Sequence, residues 1–455
     1  MQRLERLHRH LLGSEAEPAP AAGAAHHASR ILANAETLHF RGRRSPVYGV
    51  HGMVACSQPL ASEIGLRILK GGGNAIDAAI AIGAALNLTE PMSTGLGGDC
   101  FILYKPAGDP QVYALNGSGR AAASLTTDQV RRDCAATYGI EDPDSISEFP
   151  GDRTASHIHS VTVPGAAAGW ADAVERWGSM PLSEILEPAA VLAEEGFPVN
   201  QSCSHGWVSA VEKLLAASPN GAQVLVPDGS GGHRAPAAGE IFANPLFASV
   251  LRELGAGGPE AFYTGRIGQA IVDVVQGEGG ALTMEDLAAQ RTDWPEALCV
   301  NYHGVDIWEH PPNGQGIAAL IALKILDGVS PKISDETMDY DDPTRAHLLI
   351  EAVRMGFADA REYVADLDHM VVPPESLLTA EYAAARRALL RPDVAIPTIE
   401  AGAPDAAMAG DTASWQVVDG DGNAVSMICS LSSGWGSGVV PEGCGFALQN
   451  RGANL

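Results

Sequence analysis

The chain has 455 residues and a mass of 47.3 kDa, enough for a large buried core, and its 46% apolar and 18% charged residues exclude a disordered chain. A formal charge of −26 repels phosphate backbones and anionic lipid, which argues against nucleic acid and membrane surfaces as partners. The longest apolar run, 78–86, is far short of the roughly 20 residues a spanning helix needs. Residues 1–47 lack apolar periodicity and read as a flexible arm without the apolar core of a secretory signal, so a cytoplasmic location is expected. Seven scattered cysteines with no CxxC spacing fit reduced thiols rather than a disulfide framework or a zinc site.

The folded part begins near residue 48. Apolar residues at Ile64, Ile68 and Leu69 predict a helix over 61–70, stopped by Gly71-Gly72-Gly73 in a left-handed conformation. Asn74 can cap a second helix over 75–88, which is small and apolar nearly all round and therefore deeply buried. Gly95-Leu96-Gly97-Gly98 leads into a strand at 101–104. The loop lacks the GxGxxG order and precedes a strand rather than a helix, so it reads as a tight turn with close backbone packing, not a phosphate cradle.

The middle, roughly 164–395, is mostly helical by pattern, with helices at 166–177, 181–195 and 344–365. The last carries Leu348, Leu349, Ala352, Val353, Met355 and Phe357 at helical offsets, and Asp359, Arg361 and Asp366 read as its charged face. His157 and His159 lack further ligands nearby in sequence, so no metal site is expected.

The last segment changes character. Two strand-like runs, 414–418 and 424–430, flank Asp419-Gly420-Asp421-Gly422-Asn423, a strong hairpin signal. If Val418 pairs with Ala424 across a five-residue turn, Thr412 falls opposite Ser430 and two hydroxyls meet across the strands. A slip of one residue would turn Ser430 to the other face. A threonine hydroxyl needs a base beside it to act as a nucleophile. Cutting the peptide bond before it frees its own α-amine, whose pKa of about 8 suits neutral pH where a lysine at about 10 does not. From the residues alone, a hydroxyl serving in a strand or cap is the competing reading.

Gly52-Met53-Val54-Ala55, Gly72-Gly73-Asn74-Ala75-Ile76-Asp77-Ala78-Ala79, Glu90-Pro91, Gly95-Leu96-Gly97-Gly98, Val163-Pro164-Gly165, Phe262-Tyr263-Thr264-Gly265 and the loop at 311–316 follow one another in a familiar order. Gly410-Asp411-Thr412 with Asp421-Gly422-Asn423-Ala424-Val425-Ser426 completes it. From about residue 48 onward the chain resembles the gamma-glutamyltranspeptidase (glutathione hydrolase) family of N-terminal nucleophile hydrolases. The resemblance implies an α+β fold, the four-layer αββα sandwich, made as a precursor that cuts itself between Asp411 and Thr412. A large-subunit-like region, 48–411, and the start of a small-subunit-like region, 412–455, would then form a heterodimer of the chain's own two pieces. It also implies a transferase or hydrolase of gamma-glutamyl, glutathione-like amides with no cofactor, in which Thr412 is the nucleophile and Ser430 stands where a family threonine supports it.

The sequence departs from that pattern where the acyl donor is recognised. Ser118 stands at the place of the family's arginine for the glutamyl carboxylate, with Arg120 two residues on as a substitute. Ser432, Arg451 and Asn454 replace the family's Asn, Gln and Asp on the substrate side. Gln449-Asn450-Arg451-Gly452 resembles the subgroup with cephalosporin acylases, so amides of other acidic acyl groups enter as substrates. The family continues past this length with more strands, a Ser-Ser pair and a Gly-Gly oxyanion hole. That leaves open a truncated chain, with an exposed sheet edge at 424–455, or an inactive relative acting as a binding or scaffold protein.

Overall fold

The computed structural model describes residues 47–143, 157–329, 342–401 and 413–454. Nearly all of the anticipated arm and both residues of the Asp411–Thr412 junction lie outside these. The chain divides into a large unit, Gly49–Val300 with Ile307–Leu455, and a small one. Within the small unit Asn301 Nδ2 donates to Asp306 at 2.8 Å and the Gly304 amide to Asn301 at 3.0 Å, closing a tight turn.

In the large unit a short strand, β1 (Gly52–Ala55), leads into α1 (Pro59–Lys70), which starts on a proline, where a missing N–H costs nothing. The helix stops as expected at the glycines, with Gly72 the left-handed one at φ +97°. Asn74 then opens α2 (Ala75–Thr89) with a full capping box: its side chain accepts from the Ile76 and Asp77 amides, and Asp77 accepts from the Asn74 amide. Every residue of α2 is buried, because its alanines let neighbours approach from all sides. Gly83 is needed for that approach, since a Cβ there would stand 2.9 Å from the Trp415 ring.

Helix α2 packs beneath one antiparallel sheet of five strands. These are β1, β2 (Asp99–Lys105), β3 (Tyr113–Gly117), β4 (Ala413–Asp419) and β5 (Ala424–Ser430), in the order β1-β4-β5-β2-β3. The hairpin that comes last in sequence thus occupies the middle of the sheet. The expected edge at 424–430 is corrected: β5 is bonded to β4 on one side and β2 on the other. Period-2 alternation sends Trp415, Val417, Val425 and Met427 into the core, and Trp415 Nε1 donates to the Ala79 carbonyl at 2.8 Å. Ser414, Gln416, Val418, Ser426 and Ile428 point the other way and are exposed. Among the described residues no second large sheet covers that face.

Helices α3 (Ala166–Trp177) and α4 (Leu182–Glu195) form where the periodicity puts them, and both touch α2. In α5 (Pro343–Tyr363), Leu348, Ala352 and Met355 are buried, whereas Leu349, Val353 and Phe357 are exposed. Asp359 corrects the charged-face reading: it is fully buried and paired with Arg386 at 3.1 Å, while Arg361 and Asp366 are exposed. Among the described residues no helix is long and apolar enough to cross a membrane.

Candidate active site

The hairpin is pinned by Asp419. Its amide bonds to the Asn423 carbonyl at 3.0 Å, so the loop is three residues, Gly420-Asp421-Gly422, with Gly422 at φ +92°. The turn is shorter than the five residues expected, yet the register is the one deduced: Val418 pairs with Ala424, and the ladder runs to Ala413 against Cys429. Ala413 follows Thr412, and Cys429 precedes Ser430. Asp419 Oδ1 accepts from the Asp421 and Asn423 amides, and its Oδ2 from Asn423 Nδ2 and the Ala75 amide, so the turn is fastened to α2.

Ser430 ends β5 opposite Asp99, the first residue of β2, and both are buried. Ser430 Oγ accepts from the Ser432 amide at 2.9 Å and from Arg451 Nη2 at 2.7 Å. Ser432 itself is left-handed, at φ +82°, a conformation that costs a non-glycine residue energy and clusters at functional sites. Arg451 opens a short 3₁₀ turn, Arg451–Asn454, and its Nε donates to Asp99 Oδ2 at 3.2 Å. Asp99 Oδ1 accepts from the Gly119 amide at 3.0 Å and from Gln449 Nε2 at 2.9 Å. Burial pushes the Asp99 carboxyl up from the usual carboxylate range, and the Arg451 charge, Gln449 and Gly119 push back.

Two further features hold this cluster. Asn450 and Ser433 exchange a pair of bonds, Asn450 Nδ2 to Ser433 Oγ at 2.8 Å and the Ser433 amide to Asn450 Oδ1 at 3.1 Å. The Gly95–Gly98 loop shows the close backbone packing read from its sequence. A Cβ on Gly97 would collide with the Ala447 carbonyl and one on Gly98 with that of Ser430, and the Gly97 carbonyl accepts from the Gln449 amide at 2.9 Å.

The other candidate residues are placed unequally. Ser432 offers Ser430 its amide rather than its hydroxyl. Arg120 bonds to Asp293 at 2.9 Å on the surface, both side chains nearly half exposed. Ser118 Oγ accepts from Asn313 Nδ2 at 3.0 Å, and Asn313 Oδ1 from Asn116 Nδ2 at 3.0 Å, which ties the end of β3 to the loop at 311–316. Asn454 lies on the 3₁₀ turn, whereas Asp411 and Thr412 fall outside the described residues. Asp99 and Gln449 are missing from the sequence-based set. An acid opening an apolar strand directly after a glycine loop was the available signal for Asp99, since such a carboxylate must find a partner when buried. Among the described residues no three His, Cys, Asp or Glu side chains form a metal-binding group.

The mixed helix-and-sheet fold, with this hairpin at the centre of its sheet, matches solved N-terminal nucleophile hydrolases. The family model for Gamma-glutamyltranspeptidase matches residues 61–455, and the chain belongs to that family. It is similar to the glutathione hydrolase-like YwrD proenzyme of Bacillus subtilis strain 168, at 34% identity over 410 residues, covering 90% of this chain and 72% of that one. To the glutathione hydrolase proenzyme of Escherichia coli K12 it is 30% identical over 409 residues, covering 89% and 67%. Among solved structures it resembles the cephalosporin acylase from Bacillus halodurans, with 39% identity, a TM-score of 0.77 and coverage of 91% and 72%.

Proposed function

We propose that this protein is an autoprocessing threonine-nucleophile amidohydrolase or aminoacyltransferase, acting on gamma-glutamyl or related acidic acyl amides. The Thr412 hydroxyl attacks the Asp411 carbonyl, the acyl group shifts from nitrogen to oxygen, and water opens the ester, leaving pieces of 411 and 44 residues that stay together as a heterodimer. The same hydroxyl, now beside a free α-amine that takes its proton, attacks the substrate amide. The amine leaves, and water or an acceptor amine takes the acyl group from the threonine.

The observation that carries this reading is the hairpin register, which sets the residue after Thr412 opposite the residue before Ser430. Arg120, Ser432 and Asn454 are assigned to the acyl-donor side. The names of the relatives support both halves of the substrate class, since they include glutathione hydrolases, an acylase and an oxamate amidohydrolase. Scattered cysteines support a cytoplasmic site of action.

Intact-mass measurement of the full chain beside Thr412→Ala tests the proposal. The wild type should yield the two pieces and turn over a gamma-glutamyl or glutaryl anilide, and Thr412→Ala should remain one inert chain of 47.3 kDa. A folded wild type that stays whole and hydrolyses neither amide overturns it.

A further inference from the structure

The oxygen of Ser430 is saturated as an acceptor. A hydroxyl oxygen carries two lone pairs and one hydrogen. One lone pair receives the Ser432 amide at 2.9 Å and the other Arg451 Nη2 at 2.7 Å. Any further bond that the hydroxyl makes, it makes as a donor.

The guanidinium that enforces this is itself held. Asp99 Oδ2 accepts Arg451 Nε at 3.2 Å, and Asp99 cannot swing, because its Oδ1 is bound by the Gly119 amide and Gln449 Nε2. The Gln449 amide is oriented in turn by two acceptors on its nitrogen, Asp99 Oδ1 and the Val163 carbonyl at 3.4 Å. Asp99 and Gln449 are fully buried, whereas the Arg451 side chain is about one-third exposed, so the pair is anchored at its acidic end.

We propose that Asp99 and Arg451 form a positioning pair that fixes Ser430 as a hydrogen-bond donor toward the nucleophile, so that Arg451 acts through Ser430 and not as a receiver of the acyl donor's carboxylate. This rests on the reading of Thr412 as nucleophile. A hydroxyl that donates to a threonine nucleophile stabilises negative charge gathering on that oxygen as its proton leaves, and it cannot itself accept that proton. The proton therefore goes to the α-amine of Thr412. An Arg451 already committed to Asp99 and Ser430 also leaves the acyl group to be recognised by other side chains.

The test is steady-state kinetics on the processed full chain, with melting temperature and intact mass measured for every variant. Arg451→Gln should lower kcat by about 10- to 100-fold with KM for the acyl donor held within about twofold, as expected when a supporting group is lost and the substrate contacts remain. Asp99→Asn should fall in the same way, and the double variant should be no slower than the worse single one, because the two act as a unit. Ser430→Ala should match Arg451→Gln, and Ser430→Thr, which keeps the hydroxyl, should recover most of the rate.

If a single charge removal prevents folding, the double variant, with neither charge left unpaired, supplies the measurement. A raised KM at unchanged kcat in Arg451→Gln overturns the proposal, as do additive losses in the double variant. An uncut, inactive wild type overturns the functional reading and this inference with it. A wild type that cuts itself while Arg451→Gln changes only KM overturns this inference alone.

Discussion

The Asp419 carboxylate and the Ala75 amide meet at 3.0 Å, joining the hairpin turn to the N-terminus of α2 across 344 positions of sequence. The same carboxylate gathers the Asp421 and Asn423 amides. One side chain therefore satisfies a helix end, where amides point at an anion, and sets the turn that fixes the register of the nucleophile strand. Asp419→Ala should cost about 1–3 kcal/mol of stability, the range for leaving buried donors unsatisfied, and urea unfolding measures it. An unchanged midpoint would show that water serves those amides equally well.

Gly83 marks where α2 touches the sheet most closely. Gly83→Val must displace the Trp415 ring, which a Cβ would meet at 2.9 Å, and Trp170, at 3.3 Å. Overpacking of this kind costs about 1–3 kcal/mol. The variant should melt lower and show an altered near-UV tryptophan signal.

The pH dependence of stability should carry the mark of His310. Its ring nitrogens lie 2.8 Å from the Pro311 carbonyl and 3.1 Å from that of Leu115, and burial pushes its pKa from 6.5 down to about 4 against the pull of those oxygens. The unfolded chain thus binds the proton at higher pH than the folded one. Stability from this group is complete above about pH 6.5 and is lost as the pH falls toward about 4, by up to about 3 kcal/mol. Urea unfolding across that window should show the wild type losing more stability than His310→Gln by about that amount, and parallel curves would refute the assignment.

Arg120 and Asp293 form a surface pair whose side chains are 46% and 43% exposed. Such pairs contribute under about 1 kcal/mol, so Arg120→Ala should unfold almost as the wild type does. A larger loss of stability would mean that Arg120 props up the end of β3 rather than standing ready for a ligand.

The hairpin register was legible in the sequence because period-2 alternation and one turn motif fix it locally, and the loop length could be misjudged without moving the pairing. The buried α2 was legible from Asn74 and the run of alanines. The Asp99–Arg451 pair was not, since its partners lie 352 positions apart and nothing local marks them as neighbours. Which face of α5 goes inside was not legible for a related reason. The six apolar residues singled out in it cover more than one side of a helix, and only the tertiary neighbours decide that Leu348, Ala352 and Met355 go inside while Phe357 does not. Asp359 resembled a surface acid because its partner, Arg386, belongs to a different helix.

The strand order has a mechanical consequence. Strands β4 and β5 are threaded between β1 and β2, β5 bonded to β2 along its whole length and β4 to β1 from Gln416 to Asp419. A backbone break ahead of Ala413 would therefore free a chain end without freeing a chain. The short fragment could be drawn out only by unzipping two ladders and baring Trp415, so the fragments would part only as the whole molecule melts.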